Sequence, residues 1–136
     1  MKFINSVITG TGVGTPKAVV KNQDFLDRTF YDKNKVAIND TPENIVSKFE
    51  QITGINERRY ANDKTLASDL ASVAAKNAIT DASIDPETLD YIIVAQNFGD
   101  VINDTIQTDM VPSLASRVKF NLKIKNPVCI HYDIIS

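Results

Sequence analysis

The sequence predicts an α/β fold with a mostly parallel central sheet, and three observations carry that prediction. Tyr91-Ile92-Ile93-Val94-Ala95 and the run from Val128 through Cys129, Ile130, His131, Tyr132, Asp133 and Ile134 to Ile135 are apolar stretches of strand length. Such runs are typical of parallel strands covered on both faces. An alanine-rich helical stretch precedes the first run, and a shorter helical pattern separates the two. Strands alternating with helices at this spacing imply a layered α/β architecture.

Taken in order, residues 3–8 are β-rich and run into Gly10-Thr11-Gly12-Val13-Gly14-Thr15-Pro16, which reads as a strand entering a tight turn. Asn22 is placed to cap a helix over 23–31, with Phe25, Leu26 and Phe30 as its apolar positions. Residues 32–40 are a polar loop. Thr41 as cap, Pro42 in the first turn and Glu43 near the N-terminus then start a helix over 42–53. Ile45, Phe49 and Ile52 recur at helical spacing, and Gly54 supplies a left-handed stop.

Residues 56–62 read as a short extended piece. The helix that follows carries alanine at 67, 71, 74, 75, 78 and 82, so other elements can approach it closely on more than one side. Asp85-Pro86-Glu87 makes a turn, and the strand at 91–95 comes next. After a polar stretch at 97–109, Pro112 opens a helix over 112–120 with Leu114, Val118 and Phe120 as apolar positions. Asn126-Pro127 launches the last strand, and the chain reaches Ser136 at the edge of an apolar run.

Composition narrows the function classes. The 136 residues have the size of one domain, and no linker, repeat or low-complexity tract divides them. A hydrophobic fraction of 43% with 24% charged residues excludes disordered, collagen-like and disulfide-scaffold chains. Fifteen Lys and Arg against 17 Asp and Glu argue against binding nucleic acid by charge. Cys129, the one cysteine, has no partner for an internal disulfide and points to a reducing cytoplasm. No window approaches a membrane span, and Met1-Lys2-Phe3-Ile4-Asn5-Ser6 lacks the apolar core of a signal peptide.

Few residues carry readable chemistry. The glycine run departs from a dinucleotide fingerprint, because Thr15-Pro16 intervenes before any helix, so it reads as a structural turn rather than a phosphate loop. Cys129 and His131 lie two apart and share a strand face, yet one Cys and one His fall short of a metal-ligand set, and a core role fits better. Asp133 needs a partner near a buried strand's end, which a neighbouring loop can supply. Arg58-Arg59 beside Tyr60, with Lys48 on the preceding helix, offer a place for an anionic group, against the plain reading of solvated surface charge.

Five segments together resemble the N-terminal part of β-ketoacyl-acyl-carrier-protein synthase III, within the thiolase-like condensing enzyme superfamily. They are Ile8-Thr9-Gly10-Thr11-Gly12 up to Pro16, Thr53-Gly54-Ile55-Asn56-Glu57-Arg58-Arg59-Tyr60-Ala61, the alanine-rich helix, Asp90-Tyr91-Ile92-Ile93-Val94-Ala95, and the run from Asn126-Pro127 to Tyr132-Asp133-Ile134. The resemblance implies the N-terminal half of a layered αβαβα fold in a cytoplasmic homodimer. It implies a decarboxylative condensation of an acyl thioester primer with malonyl-carrier protein in fatty acid or polyketide-type biosynthesis. Acyl-CoA, malonyl-carrier protein and the acyl carrier protein would be substrates and partners, with no resident cofactor and no metal, nucleic acid or membrane.

By the same resemblance the nucleophilic cysteine falls two positions beyond Ser136, and the catalytic His and Asn lie further on, so residues 1–136 hold no catalytic residue. Cys129 then matches a structural position. Lys48 and Ile52 stand where the family places an adenine-stacking Trp and a nearby Arg, and Val111 where a residue reaches into the partner's acyl pocket. Lys48, Ile52, Arg58 and Val111 are the substrate-binding candidates. The alternative from another class is a non-catalytic α/β interaction or acyl-carrier-binding module.

Overall fold

The structure, a computed structural model, describes residues 5–102 and 105–135. They fall into two compact units where the sequence suggested one. Pro16–Tyr60 forms one unit, and the described residues up to Thr15 together with those from Ala61 onward form the other.

In the Pro16–Tyr60 unit, strand β1 (Ala18–Lys21) pairs antiparallel with β2 (Glu57–Tyr60), Val20 opposite Arg58. Between them lies helix α1 (Pro42–Thr53), with the bounds the sequence predicts. The Thr41 hydroxyl accepts from Asn44 N at 3.3 Å, and Gly54 ends the helix at φ 66°, a conformation that costs a residue with a Cβ. Ile45 and Val46 are buried and Phe49 meets Phe30 edge-on, whereas Ile52 is 82% exposed rather than part of the apolar stripe. The helix expected over 23–31 is a single 3-10 turn at Asn22–Phe25. Asn22 is buried, its amide donating to Ile55 O at 2.6 Å and accepting from Arg58, so it serves a tertiary contact instead of a cap.

The other unit is built on helix α2 (Ala67–Ala82), strand β3 (Tyr91–Gln96), the short antiparallel pair β4 (Asp100–Val101) and β5 (Thr108–Asp109), helix α3 (Leu114–Asn121) and strand β6 (Ile130–Ile135). Strands β3 and β6 are parallel, with Ile92 opposite His131 and Val94 opposite Asp133. Helix α3 begins one residue after Ser113, whose hydroxyl caps it, so Pro112 precedes the helix instead of opening it. Leu114 and Val118 are 1% exposed, but Phe120, taken from the sequence as an inward position, is 81% exposed because it lies on the opposite face of this two-turn helix.

The core gathers Ile92, Ala115, Val118, Ile124 and Cys129, with Ala71 and Ala75 of α2 against it. Cys129 is thus a core side chain. Only one face of the β3–β6 pair is covered among the described residues. On the other, Tyr91, Ile93, Ile130, Tyr132 and Ile134 are all at least 42% exposed, which corrects the expectation of strands buried on both faces. An apolar surface of this extent drives association. The chain is expected to self-associate, and light scattering should give masses above the 15.0 kDa of one copy; a monodisperse particle of that mass would contradict this.

The glycine run makes no turn. Residues 5–15 carry no strand or helix, and none of Gly10, Gly12 and Gly14 has a positive φ (residues 3 and 4 of the expected first strand lie outside the described residues). Each glycine instead meets the α2 backbone, Gly10 at Ala78 and Ala82, Gly12 at Ala74 and Ala78, Gly14 at Leu70 and Ala74. The geometry explains the spacing. Two extended residues advance about 6.6 Å, and four helical residues advance about 6 Å, so every second residue of the segment meets every fourth residue of the helix. Thr11 N donates to Asp81 at 2.9 Å and Asn77 to Val13 O at 2.9 Å, which fixes the register.

Candidate functional site

Parallel α/β sheets place their working groups outside the carboxyl ends of the strands. At that end of β3 and β6, two carboxylates sit on two helix N-termini. Asp133, on β6, accepts from Leu114 N and Ala115 N at 2.8 Å each and so supplies the anion that the first turn of α3 favours. Gln96, the last residue of β3, donates to the same carboxylate at 3.2 Å and accepts from Gly99 N. The strand pair and the helix are thereby tied together where β6 ends. Asp133 was legible from sequence as a residue needing a partner, and its partner is this helix rather than a loop.

The second carboxylate is Asp100, fully buried on β4. It accepts from Ser68 N at 2.8 Å and Ser68 Oγ at 2.7 Å at the start of α2, and from Arg117 at 2.9 Å. Arg117 reaches on to Asp109 at 2.8 Å and donates to Pro112 O at 3.0 Å. Its hydrogen bond to Asp109 raises the guanidinium above its ordinary value and holds the Asp109 carboxyl below the usual range. Sequence reasoning missed Asp100, Asp109, Arg117 and Gln96. The only local signal was Gly99, whose φ of 72° lets the chain turn sharply just before a buried acid.

Among the described residues no buried side-chain nitrogen or oxygen lacks a partner. Asp133 and Asp100 each accept several hydrogen bonds and so act as structural anchors. Together they tie strands β3 and β6 to the start of α3, and β4 to the start of α2.

Of the four substrate-binding candidates, Lys48, Ile52 and Arg58 lie in the Pro16–Tyr60 unit and Val111 in the other. Lys48 and Ile52 are one turn apart on α1, where Lys48 pairs with Asp40 at 2.8 Å. Arg58, on β2, bonds Asn22 and lines a hollow with Phe25, Phe30, Phe49, Thr53 and Tyr60. Val111 belongs to the other unit and is 85% exposed between β5 and α3. Hydrogen bonds from Lys48, Asn44 and Thr41 N lower the Asp40 carboxyl from 3.8 to about 2. The contribution of that pairing is therefore present above pH 3.8 and is lost as pH falls toward 2. Proton titration by NMR should place the Asp40 midpoint near 2, and Lys48→Gln should move it up toward 3.8; an unmoved midpoint would show that Lys48 does not set it.

No protein-family model matches the chain. In an alignment of 119 positions that covers 82% of this chain, it is 35% identical to the β-ketoacyl-[acyl-carrier-protein] synthase III of Staphylococcus haemolyticus, of which it covers 34%. Among solved structures, 3-oxoacyl-[acyl-carrier-protein] synthase III from Aquifex aeolicus superimposes on 93% of the chain with a TM-score of 0.61 and 31% identity, over 34% of that protein. A variant of Xanthomonas campestris OleA gives a TM-score of 0.68 at 26% identity, over 95% of this chain and 33% of that one. The chain therefore spans about a third of the length of the relatives it matches.

Proposed function

We propose, for a chain that belongs to the thiolase-like condensing enzymes as an N-terminal part of the β-ketoacyl-acyl-carrier-protein synthase III type, that it forms the platform of a decarboxylative condensation site. The observation that carries this reading is strand β6, parallel to β3 and locked to the N-terminus of α3 through Asp133, in a chain 35% identical to a condensing enzyme. In this reading the polypeptide that follows Ser136 supplies a cysteine at the carboxyl end of β6. Its thiolate attacks the primer thioester carbonyl and expels the carrier thiol, leaving an acyl-enzyme. Decarboxylation of malonyl-carrier protein then furnishes the carbanion that attacks the acyl group and releases the cysteine. His and Asn side chains further along stabilise the oxyanions.

The four candidate residues enter this proposal by position. Lys48 and Ile52 lack the ring and the guanidinium that would hold an adenine, which favours a primer delivered on a carrier other than CoA. The exposed apolar residues Phe98, Ile102, Ile106, Met110 and Val111 around β4 and β5 support a homodimer in which Val111 meets the partner's acyl site, and the cytoplasm is the compartment that the family resemblance implies. No helix among the described residues is long and apolar enough to cross a membrane. The test is release of labelled carbon dioxide from malonyl-carrier protein by the protein that contains this chain, which should require an acyl primer. A preparation that binds acyl carrier protein yet releases none would favour the non-catalytic module.

A further inference from the structure

We propose that Arg117 is a positioning residue for the choice of primer: it holds the chain on both sides of Val111, so that this side chain meets the acyl group in the partner's site from a fixed place. The inference rests on the condensing reading above, in which Val111 enters that site, and adds the device that sets where Val111 stands.

The geometry that carries it is the reach of one guanidinium. Arg117, on α3, donates from Nη1 to Asp100 at 2.9 Å, from Nη2 to Asp109 at 2.8 Å and from Nε to Pro112 O at 3.0 Å. Three acceptors spread around a planar fork are beyond the single ammonium of a lysine. The first contact reaches a buried carboxylate and joins α3 to the start of α2 through Ser68. The other two bracket Val111 in the chain, two residues before it and one after. Asp109 also accepts from Val111 N at 3.4 Å and pairs with Asp100 across β4 and β5, while Ser113 caps α3. Gly99 completes the seat, since a Cβ there would lie 2.6 Å from Asp109 O and 2.7 Å from Met110 Cγ.

Val111 itself, 85% exposed, adds little to the core of its own chain. Fixing the backbone of one residue costs about 1–2 kcal/mol of conformational entropy, and an exposed side chain gains no burial in return. The return comes when a partner covers it, because the ordering is complete before the two meet. A side chain branched at Cβ suits the task, since its restricted χ1 presents one shape. Its placement then matters to selection, as one methylene more or less in a packed apolar site is worth about tenfold or more. Helix α3 is tied at its start to Asp133 of β6. One helix thus holds both the strand that leads to the chain's own nucleophile and the residue lent to its partner.

The test uses the protein that contains this chain, with butanoyl-, hexanoyl- and octanoyl-acyl carrier protein competing in one mixture and product masses giving the ratios of kcat/KM. Asp109→Ala leaves Arg117 its bonds to Asp100 and Pro112 O, so the buried pair survives. It should change the hexanoyl-to-octanoyl ratio by about tenfold, as should Val111→Ala, the lower end of what a methylene is worth. Arg117→Lys, which keeps a cation for Asp100, should do the same. The KM for malonyl-carrier protein should not move, whereas a merely structural role would lower kcat for every primer alike and leave the ratio as it was. Dimers that pair an active chain with one inactivated at its nucleophile separate the two sites: Asp109→Ala should change the ratio from the inactivated chain and not from the active one. A ratio moved by Val111→Ala but not by Asp109→Ala or Arg117→Lys, or an effect that comes from the active chain, would overturn the inference while the condensing reading stands. A parent protein that does not condense any of the primers would overturn that reading, and this inference with it.

Discussion

Gly12→Val is expected to destabilise the protein by about 3 kcal/mol or more, the upper end of what overpacking costs. A Cβ at this position would fall inside van der Waals contact with Ala74 O and Ala78 N. Both are backbone atoms of a regular helix and cannot swing aside as a side chain can, so residues 5–15 would have to lift away from α2. The hydrogen bonds from Thr11 N to Asp81 and from Asn77 to Val13 O would then be lost with the contact. Gly54→Ala is the control. Nothing lies within 4 Å of a Cβ at Gly54, and only its φ of 66° opposes substitution, so about 1 kcal/mol is expected there. Chemical denaturation of both variants checks the difference, and equal losses would mean that the glycine seam is not a packing contact.

Asp100→Ala is the second large effect, on the order of 3–5 kcal/mol, because it removes one partner of a buried ion pair and leaves the other. Ser68 N and Oγ at the start of α2 lose their acceptor, and Arg117 keeps only Asp109 and Pro112 O. Against a total stability of about 5–15 kcal/mol, such a loss lowers the unfolding midpoint by on the order of 10 °C. Asp109→Asn, on a carboxylate 44% exposed, should cost under about 1 kcal/mol. If the two substitutions cost the same, Asp100 is not the keystone of this cluster.

The residues of α1 show why some of the fold was legible in the sequence. Thr41, Pro42 and Gly54 act on their own neighbours, so cap, first turn and stop could be read without knowing any tertiary partner, and the helix has the predicted bounds. Strands β3 and β6 were legible for a similar reason, since an apolar run of that length is itself the signal. The failures share the opposite property. Asn22 looks like a cap until Ile55 O and Arg58 claim its side chain. Gly10, Gly12 and Gly14 look like a turn until α2 is beside them.

The site divides along the same line. Asp133 was visible as an acid in a buried strand that must find donors, but which donors depended on where α3 begins. Asp100 and Arg117 are 17 residues apart, one in a polar stretch and the other on a helix, and meet only through the fold, so neither stood out. Ile52 and Val111 came from resemblance alone, whereas Arg58 and Lys48 were also visible as a cationic group beside Tyr60, and the structure adds that Lys48 is held by Asp40.

The central claim is that the carboxyl end of β6 is where a condensing enzyme carries its nucleophile. Mass spectrometry of the protein containing this chain, quenched in acid after exposure to an acyl thioester primer and then digested, tests it most directly. One acyl group is expected on a cysteine in the peptide that begins just after β6, and Cys129, buried in the core, is expected to remain unmodified. Stoichiometric acylation of Cys129, or no acyl-enzyme from any primer, would contradict the account.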